Sequence, residues 1–369
     1  MRIILLILLA LGIFAAWYLA RRSAFVFGTR AGWWHVGYGL VMFFSLASLV
    51  VGGMPWSAAP VVRLLVMCGG VCVGFLIYLF ISTLLTDLVR LLVPMRPWLF
   101  GTIAVSLALG MSIVTMAVAA SPRMVEQTVA LPKLERPMRV VQLTDTHFGF
   151  YRGEAHMRHL VEMVNAARPD LVLFTGDCFD SWYRFSVETV APLRELEAPI
   201  YFVAGNHEGY LDAAMAKRLL REAGVRVLEN EVVCEKGLCI VGLDFMAQDT
   251  VDAGHHAPRR PETIENTLPK LPIDRTKPVI ALHHSPVGAD YMEAAGVDLL
   301  LSGHTHGGQL WPLTWVNNRL FPFNRGLYRH GRMQVYVSVG SGTFGPPMRL
   351  GTVSEVTLLQ LVPAVEKRK

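Results

Sequence analysis

Four long apolar runs without one charged side chain, Ile3–Ala20, Val36–Met54, Leu64–Thr86 and Pro97–Ala120, fill the first third of the chain. Each is close to or above the roughly 20 residues that carry a helix across a bilayer. Buried core helices of a soluble domain are the alternative, but no globular core needs four such runs in succession. The expectation is a four-helix transmembrane region over 1–122, and hence a multi-pass integral membrane protein. The first run has only Arg2 before it and Arg21-Arg22 after it. That polarity is the reverse of a cleaved signal peptide and suits an anchor whose far end faces the cytoplasm.

Charge divides the chain in the same place. The 369 residues carry a net charge of +5, with a pI near 9.0. Residues 1–122 hold seven arginines against Asp87 alone, and the rest is nearly balanced. The basic pI therefore belongs to the first third, and no nucleic-acid partner is expected of the remainder. Loop 21–35 carries Arg21, Arg22 and Arg30, and loop 87–96 carries Arg90 and Arg96. Loop 55–63 has Arg63 only. The positive-inside bias places the first and third loops in the cytoplasm. Four spans then leave both termini and the C-terminal domain outside, so the domain is expected to be extracytoplasmic.

Residues 123–137, rich in proline and charge, read as a linker into a domain over 138–369. Met138–Thr144 is a strand, Glu154–Ala167 a helix, Asp170–Thr175 a buried strand, Val187–Glu197 a helix, Ile200–Ala204 a strand and Leu211–Ala223 a helix. Strand and helix alternate with short connections, which implies a parallel α/β layer. After Val225 short strands follow at 231–234, 238–243, 279–282, 298–302, 334–339 and 352–361. They point to a second, more antiparallel sheet. Residues 246–275, polar and proline-rich, read as a loop and helix excursion. Five cysteines are few. Cys68 and Cys72 read as packing residues of the third run, and Cys178 as a side chain turned away from its neighbouring acids. Cys234 and Cys239 flank a hairpin turn, where they could form a disulfide suited to an extracytoplasmic compartment or remain two thiols.

Five short blocks carry the chemistry: Asp145-Thr-His147, Gly176-Asp177-Cys-Phe-Asp180, Gly205-Asn206-His207-Glu208, His283-His284 and Gly303-His304-Thr-His306. Each follows an apolar run, so its polar side chains sit where strands end and loops converge. Two divalent ions roughly 3.5–4 Å apart need a shared anionic bridge and further ligands on either side. Asp177 can bridge. Asp145, His147 and one late histidine fill one position. Asn206, His284 and the other late histidine fill the second. Imidazole mixed with carboxylate suits Zn, Fe or Mn better than Ca. An isolated Asp-x-His says little, but five blocks in this order name metal-assisted hydrolysis of a phosphate ester.

These blocks, with the longer strings Ser302-Gly-His-Thr-His-Gly-Gly-Gln309 and Gly345-Pro-Pro-Met-Arg349-Leu-Gly, make residues 138–357 resemble the calcineurin-like metallophosphoesterase superfamily. The likeness extends to a branch of bacterial membrane-associated and exported phosphodiesterases and a vertebrate transmembrane protein with a metallophosphoesterase domain. The resemblance implies a four-layer α/β/β/α sandwich with two mixed sheets. It also implies ligand roles for Asp145, His147, Asp177, Asn206, His284, His304 and His306, with His306 joining Asp145 and His147, and His304 joining Asn206 and His284. Pro286 selects His284 over His283 as the ligand. A metal-bridging hydroxide would attack phosphorus in line while His207 protonates or stabilises the leaving oxygen. Asp180 and Glu208 are expected to orient His207 and the ligands. Arg349 either binds the phosphate or holds the Gly340–Gly351 loop.

Residues 311–332 interleave Trp311, Trp315, Phe321, Phe323 and Tyr328 with Arg319, Arg325, Arg329 and Arg332. That mixture suits a lipid-headgroup interface, or else a packed surface loop. The function expected is a membrane-anchored, two-metal phosphodiesterase or pyrophosphatase acting on a lipid-linked substrate, with manganese among the candidate ions. If the domain were cytoplasmic, a UDP-2,3-diacylglucosamine-type pyrophosphate hydrolase would fit instead. A non-enzymatic membrane sensor or scaffold is the other class, and the complete ligand set speaks against it.

Overall fold

The computed structural model describes residues 2–52, 54, 59–181, 183, 185–250 and 261–364. The chain divides into two compact units: Met1–Val118 with Gly345–Met348, and Ala119–Phe344 with Arg349–Lys369.

The apolar runs form α1 (Arg2–Phe27), α2 (Ala31–Gly52), α3 (Pro60–Arg90) and α4 (Pro97–Ala120). Among the described residues two of these, α3 and α4, are long and apolar enough throughout to cross a membrane. Polar side chains on them bond within the helices. Thr83, Thr86, Ser112 and Thr115 each donate to the carbonyl four residues back, so these hydroxyls are satisfied within their own helix. Ser82 reaches across to the Ala104 carbonyl at 2.8 Å and joins α3 to α4.

The second unit holds β1 (Arg123–Leu131), β2 (Met138–Leu143), α5 (Glu154–Ala166), β3 (Leu171–Phe174), α6 (Val187–Val190), β4 (Ile200–Phe202), α7 (Asn206–Leu211), α8 (Ala213–Glu222), β5 (Arg226–Val227), β6 (Glu231–Glu235), β7 (Leu238–Gly242), α9 (Ile264–Thr267), β8 (Val279–Leu282), α10 (Ala289–Ala295), β9 (Leu299–Ser302), α11 (Leu313–Leu320), β10 (Gly326–His330), β11 (Met333–Val337) and β12 (Glu355–Pro363). They build two mixed six-stranded sheets, in the orders β1-β12-β2-β3-β4-β5 and β10-β11-β9-β8-β7-β6.

Strand alternation explains the core. In β2 and β3, Val140, Leu171 and Leu173 join a cluster shared with Ile280, Leu282, Leu299 and Leu301 of the other sheet. Their neighbours Val141, Val172 and Phe174 turn the opposite way, onto Leu160, Val164 and Leu220 of α5 and α8. On the second sheet Val279, Ala281 and Leu300 face Ile264 and Met292 of α9 and α10. Period-two chains with both faces apolar are buried on both sides.

Two expectations are corrected. Residues 123–131, expected within the linker, form β1, which pairs in parallel with β12 from Arg123↔Glu355 to Leu131↔Pro363. Only Val129 and Leu131 of this edge strand are buried, so its polar face resembles a linker in sequence. The second sheet is the more antiparallel of the two, as expected, with β6-β7 and β10-β11 antiparallel against β2-β12 in the first. β7-β8, β8-β9 and β9-β11 are parallel, because long crossovers return the chain in the same direction. The helices expected at 187–197 and 211–223 are broken, the first into a 3-10 turn at Ala191–Glu195 that contains Pro192. The second divides at Asp212, whose carboxylate caps α8 by accepting from Met215 N. Of the 246–275 excursion, 251–260 lie outside the described residues.

Cys234 and Cys239 form a disulfide across the β6–β7 hairpin. Lys236 and Gly237 both take positive φ, 50° and 85°, as a tight two-residue turn requires. That turn fixes a register in which the two cysteines are directly opposed.

Candidate metal centre

All five sequence blocks meet at the C-terminal ends of β2, β3, β4, β8 and β9. The backbone ties the loops together: Asp145 N–H donates to Gly176 O (3.0 Å), His147 N–H to Asp177 O (3.1 Å) and Gly303 N–H to His284 O (2.9 Å). Gln142 donates to both Thr175 Oγ1 and Ser302 O at 2.9 Å, bonding the end of β2 to the end of β9. Gly303 permits the closest approach. A Cβ there would lie 2.1 Å from both Asp145 Oδ2 and Thr144 Oγ1.

Three clusters of candidate ligands result among the described residues. Asp145, His147 and His306 offer atoms within 4.8 Å of one another, as do Asp177, His284 and His304, and also His147, Asp180 and His207. In the first, His147 Nε2 and His306 Nε2 are 3.0 Å apart, and His306 Nε2 is 3.3 Å from Asp145 Oδ1. In the second, His284 Nε2 is 3.1 Å from Asp177 Oδ2. Asn206 Oδ1 lies 2.9 Å from His304 Nδ1. Asp177 Oδ2 is also 3.8 Å from His147 Nε2, so this carboxylate of the second cluster approaches the first.

Several features fit this set to cations. Asp145, His147, Asp177, His304 and His306 all have positive φ, between 48° and 70°, although none is glycine. Such backbone costs of order 1–3 kcal/mol per residue and persists where the surroundings impose it, commonly at functional sites. His284 Nδ1 lies 2.7 Å from the Thr175 carbonyl, which can only accept. Nδ1 therefore carries a proton and Nε2 faces Asp177, so that once Nε2 gives up its own proton the ring presents a lone pair there, the arrangement typical of a metal-ligating histidine. Two acids this deep in the protein also need positive charge nearby. Burial would raise the Asp145 carboxyl, but His306 and His147 overcome it and hold the group below the usual carboxylate range. Asp177 is likewise lowered against burial, by His284 and His207. Two of the imidazoles answer in kind, while burial holds His306 below its ordinary value. Burial opposes charge on those two as well, yet Asp145 and Asp180 lift His147 to about 10, and Asp177 lifts His284 to about 9. A bound cation would replace the protons these rings retain.

In the third cluster, His207 Nδ1 is 3.0 Å from Asp180 Oδ1, and the same oxygen lies 3.4 Å from His147 Nδ1. His207 Nε2 is 3.9 Å from Asp177 Oδ2. Asp180 thus lies within hydrogen-bonding distance of His207. Glu208 acts elsewhere. Its buried carboxylate accepts from the backbone N–H groups of Asp177, Cys178, Phe179 and Gly205, so it holds two ligand loops rather than the His207 ring. Burial, then Asp177, raises its pKa despite those donors. Cys178 packs into the core behind the loop.

His283 is buried, bonds Ser285 O at 2.6 Å and stacks on Phe245. Burial lowers its pKa to about 4, so it is a neutral packing residue beside the ligand. Arg349 is turned inward, away from solvent. Its side chain is fully buried and donates to the carbonyls of Val339 and Gly342, at 2.6 and 2.7 Å. Of its two expected roles it takes loop-holding. Sequence reasoning missed Phe245, whose ring lies 5.8–6.0 Å from His283, His284 and His304. It missed Gln142 as well. Phe245 sits in a loop with no motif, while Gln142 is one polar residue in a strand that reads as ordinary core.

A family model described as calcineurin-like phosphoesterase matches residues 138–308. An uncharacterised metallophosphoesterase of Aquifex aeolicus is 32% identical over 241 residues, covering 64% of this chain and 88% of that protein. The chain belongs to the calcineurin-like phosphoesterase family. Other members are as similar over longer alignments. An uncharacterised metallophosphoesterase of Helicobacter pylori strain J99 is 33% identical over 249 residues, 66% of this chain and 65% of its own length. The bovine transmembrane protein with metallophosphoesterase domain is 34% identical over 283 residues, 71% of this chain and 62% of its own. The chain thus spans somewhat less than two thirds of these last two proteins.

Proposed function

We propose that this protein is a metal-dependent phosphoric ester hydrolase that cleaves a phosphodiester or pyrophosphate bond of a lipid-linked substrate, with two divalent ions held by the seven residues at the strand ends. The observation that carries the reading is Asp177, which belongs to one three-residue cluster while its carboxylate lies 3.8 Å from His147 of another, and so can bridge two ions. Asp145, His147 and His306 would hold one ion, and Asn206, His284 and His304 the other. The donor set suits Mn, Fe or Zn. Such ions, when bound, supply the activated water and offset charge developing on phosphorus.

The remaining work falls to side chains. Asp180 accepts the Nδ1 proton of His207, which stabilises the ring's positive charge while Nε2 holds a proton for the leaving oxygen. Glu208 fixes the Asp177 and Asn206 loops, so both ligands are preorganised. We read the layering as α/β/β/α, on the three apolar clusters that separate helices from sheets and sheet from sheet.

We further infer a four-span, integral membrane protein with an extracytoplasmic catalytic domain. Support comes from the helical state of all four apolar runs, the arginine bias of their loops and the Cys234–Cys239 disulfide, which suits an oxidising compartment. The same disulfide weighs against a cytoplasmic UDP-diacylglucosamine-type hydrolase. The convergence of every expected ligand weighs against a non-enzymatic sensor or scaffold.

The deciding experiment is Asp177→Asn on the full-length protein. It should abolish hydrolysis of bis-p-nitrophenyl phosphate and lower the bound metal. Activity near that of the unaltered protein, with metal content unchanged, would remove the bridging role.

A further inference from the structure

We propose that the exposed face of α11, with the residues that flank it, docks on an anionic lipid bilayer beside the metal centre. The proposal rests on the phosphoesterase reading above and names the surface from which its substrate is drawn.

Trp311, Leu313, Trp315 and Val316 are 49%, 39%, 60% and 38% exposed, within six consecutive positions. Single exposed apolar residues are ordinary, but a cluster with two indoles marks a surface that meets something apolar. Arg319 lies one helical turn on, its guanidinium 4.9 Å from the Trp315 ring centre. Arg325, Arg329 and Arg332 follow, all exposed, and no acidic residue occurs from 311 to 332. Indole rings at headgroup depth and arginines against anionic phosphate are the chemistry of a bilayer surface. An apolar protein groove would not need Arg319 and Arg325, whereas Asp290 and Glu293 lie beside the 330–332 turn, against His330 and the Arg332 N–H. The helices α3 and α4 of the same chain are able to cross a membrane, so a bilayer is the surface this chain is suited to meet.

The structure sorts the block that looked uniform in sequence. Phe323 and Tyr328 are partly buried and pack against the core beneath the second sheet, so they belong to that packing and not to the docking face. The docking face is the first turn and a half of α11 and the indole before it.

This face is fastened to the ligand loop. Asn317 Nδ2 donates to Thr305 O at 3.0 Å, between His304 and His306. Thr305 Oγ1 donates to Asn324 O at 2.5 Å. A Cβ on Gly308, at φ +80°, would lie 2.6 Å from Thr314 Cα, so loop and helix backbones touch. The Phe321 ring stands 5.9 Å from His304. On the other side Phe344, 55% exposed, has its ring 5.7 Å from His306. Apolar surface therefore runs from the docking face to the metal centre, where a phosphodiester headgroup could enter without leaving the interface.

The test uses the full-length protein in nanodiscs of phosphatidylcholine alone or in equal parts with phosphatidylglycerol. An environment-sensitive dye at Trp315→Cys, with Cys68 and Cys72 replaced by Ser, should be quenched by a quencher carried on the lipid headgroup region. Leu313→Ser/Trp315→Ser/Val316→Ser should lose at least about ten-fold in hydrolysis of a phosphodiester lipid in the disc, since burying an indole and two aliphatic chains is worth more than that factor. Soluble bis-p-nitrophenyl phosphate should be turned over at the unaltered rate. Arg319→Glu should cost about five-fold or more in the anionic discs only, and less at high salt. A dye that stays unquenched overturns the docking face, as does an equal fall of both substrates. If the unaltered protein with metal hydrolyses neither substrate, the phosphoesterase reading fails, and the dye experiment still decides the docking face by itself.

Discussion

Glu208→Gln offers a sharp test of how the site is assembled, because the side chain keeps its shape and loses only its acceptor symmetry. Oε1 accepts from Cys178 N at 2.8 Å and Phe179 N at 3.2 Å, and Oε2 from Asp177 N at 3.0 Å and Gly205 N at 2.8 Å. An amide can serve one of these pairs with its oxygen. Its NH2 group must face the other pair, donor against donor. Two buried backbone N–H groups are then unsatisfied, at about 1–3 kcal/mol each. The bonds that survive weaken as the acceptor loses its charge. Relief of the repulsion between Glu208 and Asp177 returns part of the loss. The net cost is about 2–5 kcal/mol, a large share of a typical domain's 5–15 kcal/mol. For a unit of this size that lowers the melting temperature by roughly 5–15 °C. Calorimetry of the full-length protein in detergent would read it, following the transition that rises on adding Mn2+, since a ligand stabilises only the fold that binds it. Metal affinity should fall too, because the Asp177 and Asn206 loops lose their common tie. A melting point within about 2 °C of the unaltered protein, at unchanged metal content, would refute this account of Glu208.

Three further outcomes are expected. His207→Ala should retain metal yet lose roughly 10²–10⁴ in rate with poor leaving groups and far less with p-nitrophenolate, which needs no proton; an equal loss for both would make His207 a structural residue. His147 and His284 hold protons in the metal-free fold up to about pH 10 and 9, against 6.5 when unfolded. That contribution to metal-free stability is complete below about pH 6.5 and disappears as pH rises toward those values, while Mn2+ affinity should climb over the same window; affinity that is flat with pH in titration calorimetry would contradict it. An alkaline phosphatase fused after Lys369 should be active and a fluorescent protein dark, and the opposite pattern would place the catalytic domain in the cytoplasm.

The ligand set was readable because each motif rides on an apolar run that can only be a buried strand. Position in sequence then gives position at a strand end. Arg349 was not readable in this way. Whether an arginine reaches outward to phosphate or inward to the carbonyls of Val339 and Gly342 depends on burial, and one sequence does not display burial. β1 was missed for a related reason. Arg123–Leu131 alternates polar and apolar residues beside a proline-rich segment, and its partner β12 lies more than 200 residues away. The disulfide needed the hairpin register, which rests on Lys236 adopting a backbone conformation that lysine seldom takes. Which pairs of the second sheet run parallel was not readable, because short strands and turns look alike whether the chain doubles back or crosses over through α10.

The position of β12 has a bearing on how this protein is made. Residues 355–363 lie between β1 and β2, so the last strand in the chain separates the first two of its sheet. Every motif residue has been synthesised by His306, yet the sheet that carries three of the five motif loops stays open until about 50 further residues follow. During synthesis β1 and β2 must wait, edges unpaired, for a segment still to come, and an early β1–β2 hairpin would have to part to admit it. Domains usually fold as units as they emerge. This one cannot close until its last strand arrives, so a chain ending at Ser354 would hold all seven candidate ligands and no completed sheet to present them.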